Sequence, residues 1–185
     1  HGKKIGGTRL AAVSGAGFEA VGMADSILGD DYHLDMATFS PATRDDLAAL
    51  IEAKGPSSLV EVKNPLDINP AADDDLHLTI VERLLADEGV DAVSVGLDPL
   101  SPNMSTLDLD GNGLPESSII RRLPEVLKAS AKPIVGVVDG GSLYDQMAAS
   151  LVEGGVPVFR SNDRAVRTLA SYMDYRLHLE TLRAK

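Results

Sequence analysis

The sequence predicts a doubly wound α/β domain: a mainly parallel sheet with helices on both faces, stacked in three layers. Short apolar runs of strand length alternate along the chain with longer stretches whose apolar residues recur at helical spacing. The first run, 9–14, breaks at Ser14-Gly15-Ala16-Gly17 and restarts at once as an amphipathic segment, the strand–turn–helix order that a parallel sheet requires. At 185 residues the chain is long enough for a full core and short for two domains.

The elements follow in order. Strand 9–14 leads through the glycine turn into a helix over 18–28, and a second strand is expected at 33–39. Ser40-Pro41 then opens a helix, with Ser40 as N-cap and proline at the first helical position; Leu47, Leu50 and Ile51 share one face, and Gly55 stops it. A short strand at 60–62 precedes the turn Asn64-Pro65-Leu66-Asp67. The helix over 73–88 begins with three aspartates, which suit the positive end of a helix dipole, and aligns Leu76, Ile80, Val81, Leu84 and Leu85 before Gly89 ends it. Strand 91–97 starts at Asp91, read as a turn residue. The helix over 116–130 contains Pro124, which predicts a kink or a split. Strand 132–138, helix 143–153 and strand 156–159 lead to a long last helix, capped by Asn162 and running to about 183. Right-handed crossovers between these strands give a flavodoxin-like sandwich.

Ligands of such sheets bind beyond the carboxyl ends of the strands. Three loops belong there: Ser14-Gly15-Ala16-Gly17, Asn64-Pro65-Leu66-Asp67 and Asp139-Gly140-Gly141-Ser142. In the first, glycines let main chain approach a ligand closely, and the unpaired N–H groups of the following helix make a phosphate-sized receptor. Each loop taken singly also reads as a tight turn, the second held by an Asx hydrogen bond.

Composition narrows the chemistry. A net charge of −11 disfavours a nucleic-acid surface. No cysteine is present, which excludes disulfides, thiolate zinc sites and cysteine nucleophiles and fits a reducing, cytoplasmic setting. No apolar run reaches the roughly 20 residues of a spanning helix, so no membrane association is expected. Ala20 stands where a third fingerprint glycine would, and no acidic residue ends the second strand, so a nicotinamide-dinucleotide site is disfavoured; the missing lysine excludes a Walker loop. Aromatics are 4% with no tryptophan, which argues against a flavin sandwich. Asp108, Asp110 and Asn112 form the first half of a calcium loop, but Ile119 occupies the twelfth position where a bidentate glutamate belongs, so no metal site is assigned. The four histidines show no metal spacing, and Ser14 has no histidine to pair with. Residues 1–7 read as a linker or remnant, and 8–185 as a domain cut from a longer polypeptide.

Taken in order, Val13-Ser14-Gly15-Ala16-Gly17, Asn64-Pro65-Leu66-Asp67, the segment 87–93, Lys132-Pro133-Ile134-Val135, and the segments 153–159 and 164–170 resemble the NDP-forming acyl-CoA synthetases, relatives of succinyl-CoA synthetase. The resemblance spans about 8–175 and implies the second flavodoxin-like domain of a multidomain enzyme. Its partners would be CoA-binding, phosphohistidine and ATP-grasp domains. The reaction implied joins an acid to CoA as ATP becomes ADP and phosphate, through an acyl phosphate and a phosphohistidine. ATP with magnesium, and CoA, would serve the whole enzyme; this domain alone would bind no cofactor and be inactive. By the same resemblance Ser14, Gly15, Ala16, Gly17 and Phe18 form a phosphate-facing edge, Asn64, Asp67, Asp139, Gly140 and Gly141 shape the adjoining loops, and the chain supplies no nucleophile. Gly15-Ala16-Gly17 departs from the adjacent glycines of that family, Phe18-Glu19 is bulkier, and 108–113 looks inserted. Glu19 would repel phosphate unless it points away or orients the histidine of the other domain. The alternative reading is a non-catalytic ligand-sensing or subunit-docking module; homodimer formation stays open.

Overall fold

Strand β1 (Arg9–Ser14) is apolar from Leu10 to Val13 and buried from Leu10 onward, as befits a strand inside a parallel sheet covered on both faces; only Arg9 at its start is exposed. The computed structural model describes residues 2–54, 60–108 and 111–183. From β1 the chain runs through α1 (Gly17–Asp25), β2 (Asp35–Met36), α2 (Pro41–Lys54), β3 (Leu66–Asp67), α3 (Asp74–Ala86), β4 (Ala92–Gly96), α4 (Ile119–Ala129), β5 (Ile134–Val137), α5 (Asp145–Glu153), β6 (Val158–Phe159) and α6 (Asn162–Arg183). All pairings in this six-stranded sheet are parallel. The order is β2-β1-β4-β5-β6, with β3 pairing β1 beyond the end of β2. This is the flavodoxin-like three-layer fold.

Side chains of each strand alternate between two cores. Ala11, Val13, Val93, Val95 and Ile134 face the core built with α2, α3, α4 and α5, among them Leu47, Leu76, Ile80, Leu84, Leu123 and Leu151. Leu10, Ala12, Ala92, Val135 and Val137 face the other, closed by Met23 of α1 and by Ala165, Val166, Leu169 and Met173 of α6. Residues 2–7, read from sequence as a linker, lie against the molecule: Ile5 is buried in the second core, and Lys4 N donates to Ala131 O.

Four expectations need correction. Residues 60–62 form no strand; the third strand is Leu66–Asp67. Between β2 and β3, Asn64 occupies the edge of β1 with its side chain: Oδ1 accepts from Ala12 N at 3.0 Å, and Nδ2 donates to Leu10 O and Ala37 O at 2.7 and 2.9 Å. An amide side chain therefore does what strand backbone would have done there. Pro124 does not split α4. It is the sixth residue of one helix, and its ring lies where Gly154 leaves space, since a Cβ at Gly154 would stand 2.5 Å from Pro124 Cγ. At α6 the turn is closed from Ser161, whose carbonyl accepts from Ala165 N, and Asn162 is the first helical residue rather than the cap. The last helix before β6 starts at Asp145 rather than 143, because 142–144 form a 3-10 turn.

Other expectations hold. Ser40 Oγ accepts from Thr43 N at 3.2 Å at the start of α2, and the three aspartates do stand at the start of α3, where Asp73 is in addition its cap, accepting from Leu76 N at 2.8 Å. Asp91 starts its strand as a structural residue, accepting from Arg9 Nε at 2.7 Å and Nη2 at 2.9 Å. Gly55, the expected stop of α2, lies outside the described residues.

Candidate functional site

The strand order reverses between β1 and β4, so their carboxyl ends open the crevice where ligands of such sheets bind. Register assembles the rim. Ser14 pairs with Gly96 and with Asp67, and Gly96 pairs with Val137, which brings the loops after β1, β3, β4 and β5 together.

At the centre is the start of α1. Ala16 holds extended dihedrals as the N-cap residue, without a side-chain cap. Its N–H donates to Ser14 Oγ at 3.0 Å, and its carbonyl accepts from Glu19 N and Ala20 N at 3.0 and 3.2 Å. The N–H groups of Gly17 and Phe18 have no partner among the described residues. Of the five residues on the expected phosphate edge, Ser14 is fully buried with its hydroxyl turned inward, and Ala16 has committed its amide. Gly15 is buried in the turn, against Asp98 and Asn69, which leaves Gly17 and Phe18 as the free donors at the positive end of the helix.

Acidic side chains surround them. A Cβ on Gly17 would stand 2.7 Å from Asp67 Oδ2, so only glycine lets this carboxylate lie so close; Asp67 Oδ1 is pinned by Asn69 N at 3.0 Å. Glu19 points inward rather than at the rim. It is 1% exposed, its Oε2 accepts from Ser14 Oγ at 2.5 Å, and Gly96 has no space for a side chain because Glu19 Oε2 and Ser14 Oγ lie against it. Burial pushes the Glu19 carboxyl up to about 7; the Ser14 hydrogen bond opposes this, while the neighbouring negative charges of Asp98 and Asp139 add to it.

The third wall is the loop after β5. Arg160, just beyond β6, donates to the carbonyls of Gly140 and Gly141, the latter at 3.0 Å, and pairs with Asp145 at 3.1 Å. Asp67, Asp139, Gly140 and Gly141 thus share the rim with Gly17. Asn64 does not, because its amide is used halfway along β1. Sequence reasoning left out Gly96, Asp98 and Arg160. A glycine inside a buried strand marks close approach of another group, which was the available signal for Gly96; nothing local marks Arg160, whose partners lie 15 to 20 residues away.

The half calcium loop assembles differently. Asp108 Oδ2 accepts from Gly113 N at 2.9 Å, and Asp110 lies outside the described residues. Among the described residues no three acidic or histidine side chains converge on a metal-sized point, and no helix is long and apolar enough to cross a membrane.

No family model and no curated protein matches the chain. Solved structures do match. The apo form of dinucleotide forming acetyl-coenzyme A synthetase 1 from Ca. Korarchaeum cryptofilum aligns over 99% of this chain at a TM-score of 0.74 and 18% identity. The same enzyme in complex with phosphate and ADP aligns over 99% at 0.70 and 17%, and PH0766 from Pyrococcus horikoshii OT3 over 91% at 0.69 and 20%. At such identities the likeness establishes the fold. The chain spans 37%, 36% and 35% of those chains, about a third of their length.

Proposed function

We propose that this chain is the second flavodoxin-like domain of an ADP-forming acyl-CoA synthetase, in which the start of α1 faces a phosphoryl group carried by a histidine of a neighbouring domain. One observation carries the reading: a fold like a third of an acetyl-coenzyme A synthetase holds its two unpaired helix-start amides, Gly17 and Phe18, at the reversal of strand order. Such donors stabilise charge on a phosphoryl group in transit without reorganising, and the chain acts by electrostatics rather than as a nucleophile. The CoA-binding, phosphohistidine and ATP-grasp partners, with ATP, magnesium and CoA, belong to the rest of the enzyme, in the cytoplasm.

A docking face around the amides supports this. Phe18, Leu100 and Leu143 are 68%, 73% and 65% exposed, and they lie in the first turn of α1, the connection after β4 and the 3-10 turn after β5, next to the carboxyl ends of the adjacent strands β1, β4 and β5. The same face, with its acidic surround, also favours the second reading, a subunit-docking module without chemistry. The parent reading frame separates the two, because only the synthetase reading requires phosphohistidine and ATP-grasp segments in it.

The test is acid- and CoA-dependent release of ADP by the parent enzyme, with and without Gly17→Pro. Proline suits the first helical position, so the change removes one free N–H and keeps the helix, while its Cβ pushes the Asp67 carboxylate aside; Gly17→Ala, which displaces Asp67 alike but keeps the N–H, is the control and should retain turnover well above that of Gly17→Pro. We expect turnover to fall about 100- to 1,000-fold, the usual effect of deleting one oxyanion donor. Turnover equal to that of the natural enzyme refutes the assignment.

A further inference from the structure

Glu19 touches the loop that presents the free amides, yet it is sealed from solvent. Its carboxyl accepts from Ser14 Oγ at 2.5 Å; the same oxygen accepts from Ala16 N at 3.0 Å, the residue directly before Gly17. The groups facing it are Ser14 of β1, the Cβ-less Gly96 of β4, Asp98 after β4 and Asp139 after β5, with Asp67 at the end of β3 against Gly17. Arg160, on the third wall, is committed to the Gly140 and Gly141 carbonyls and to Asp145. A dianion arriving at Gly17 and Phe18 therefore adds negative charge to a rim that already holds several acids. Glu19, 1% exposed against 8% for Asp98, is the most deeply buried of them, the group least able to lean on water for its charge.

We propose that Glu19 is a positioning residue whose carboxyl takes one proton from solvent as a tetrahedral dianion settles on the Gly17 and Phe18 amides. The inference rests on the anion reading given above. The proton removes one charge from the rim without disturbing the loop, because a neutral carboxyl still pairs with the Ser14 hydroxyl, as donor or acceptor. Burial already holds this carboxyl up to about 7, so the exchange falls near neutral pH. Linkage makes the effect reciprocal: if the dianion favours the proton, the proton favours the dianion.

Sulfate is the probe, because it remains a dianion across this range and any pH dependence then belongs to the protein. Binding is followed at the Gly17 and Phe18 amides by heteronuclear NMR in the natural chain and in Glu19→Gln. We expect affinity roughly tenfold higher near pH 6 than near pH 8.5, a rise of about one in the pKa on binding, and a flat profile in Glu19→Gln. The histidines among the described residues do not mimic this. His77 is buried within the sandwich, His33 precedes β2 at the opposite end of the sheet, and His178 sits near the end of α6, which runs away from the rim. Equal affinity at both pH values, or the same slope in Glu19→Gln, overturns proton uptake and leaves the anion reading standing. Absence of sulfate from these amides at every pH overturns both. Carbon-13 titration of the Glu19 carboxyl in the natural chain is an independent check that needs no variant: a midpoint near the ordinary carboxylate value of 4.5 overturns the proposal.

Discussion

His77 and Glu19 are both buried ionisable groups, and they pull stability in opposite directions with pH. His77 in α3 is fully buried, and neither ring nitrogen has a partner among the described residues. Burial lowers it from 6.5 to about 4, so between those values the unfolded chain binds a proton that the folded chain refuses, and stability rises with pH. Glu19, raised from 4.5 to about 7, holds a proton that the unfolded chain releases. Its contribution is complete below 4.5 and lost as pH rises through about 7. Where the windows overlap, two slopes of up to about 1.4 kcal/mol per pH unit oppose each other. Urea melts between about pH 4.5 and 6.5 should then vary little for the natural chain, rise with pH in Glu19→Gln and fall with pH in His77→Leu. Identical slopes in all three would refute both assignments. Gly96→Ala tests the packing behind Glu19: its new methyl would stand 2.6 Å from Ser14 Oγ, and we expect a loss of about 2 kcal/mol in a denaturant melt.

At the scale of elements, polar side chains join segments that backbone ladders do not reach. Asp74, in the acidic first turn of α3, is buried rather than solvated. Its carboxylate accepts from Ser105 N and Ile119 N, both at 2.8 Å, and so ties the long connection after β4 and the start of α4 to α3. Asp74→Ala should destabilise the chain by about 3 kcal/mol, leaving two amides without an acceptor, and amide exchange at Ser105 and Ile119 should speed up before that of β1. Unchanged exchange at those two positions would show that the tie carries no load. Asn64 plays the equivalent part beside β1, and its three hydrogen bonds explain why 60–62 is not a strand. The strands β1, β4 and β5, the helix faces and the Ser40 cap were legible because period and capping chemistry are local. The roles of Asp74 and Asn64 were not, since their partners lie 27 to 54 residues away.

For the molecule as a whole, parallel order brings the loops after β1, β3, β4 and β5 to one rim and leaves Phe18, Leu100 and Leu143 projecting from it. Side chains so exposed contribute little to the chain's own stability. Replacing all three with serine should leave the melting temperature within a few degrees. The same triple variant should weaken association with the remaining domains of the parent enzyme supplied as separate polypeptides, measured by calorimetry. Undiminished association would place the docking face elsewhere.

The sequence by itself determined the layers, the sheet type, the glycine turn into α1 and the absence of thiol chemistry, because apolar period, capping residues and composition are properties of neighbouring residues. Only the tertiary structure decided which amides of that turn stay free, which way Glu19 points and what Arg160 holds. Those outcomes depend on strand register, which sets Ser14 beside Gly96 and Asp67, and register is fixed by contacts between segments far apart in the chain.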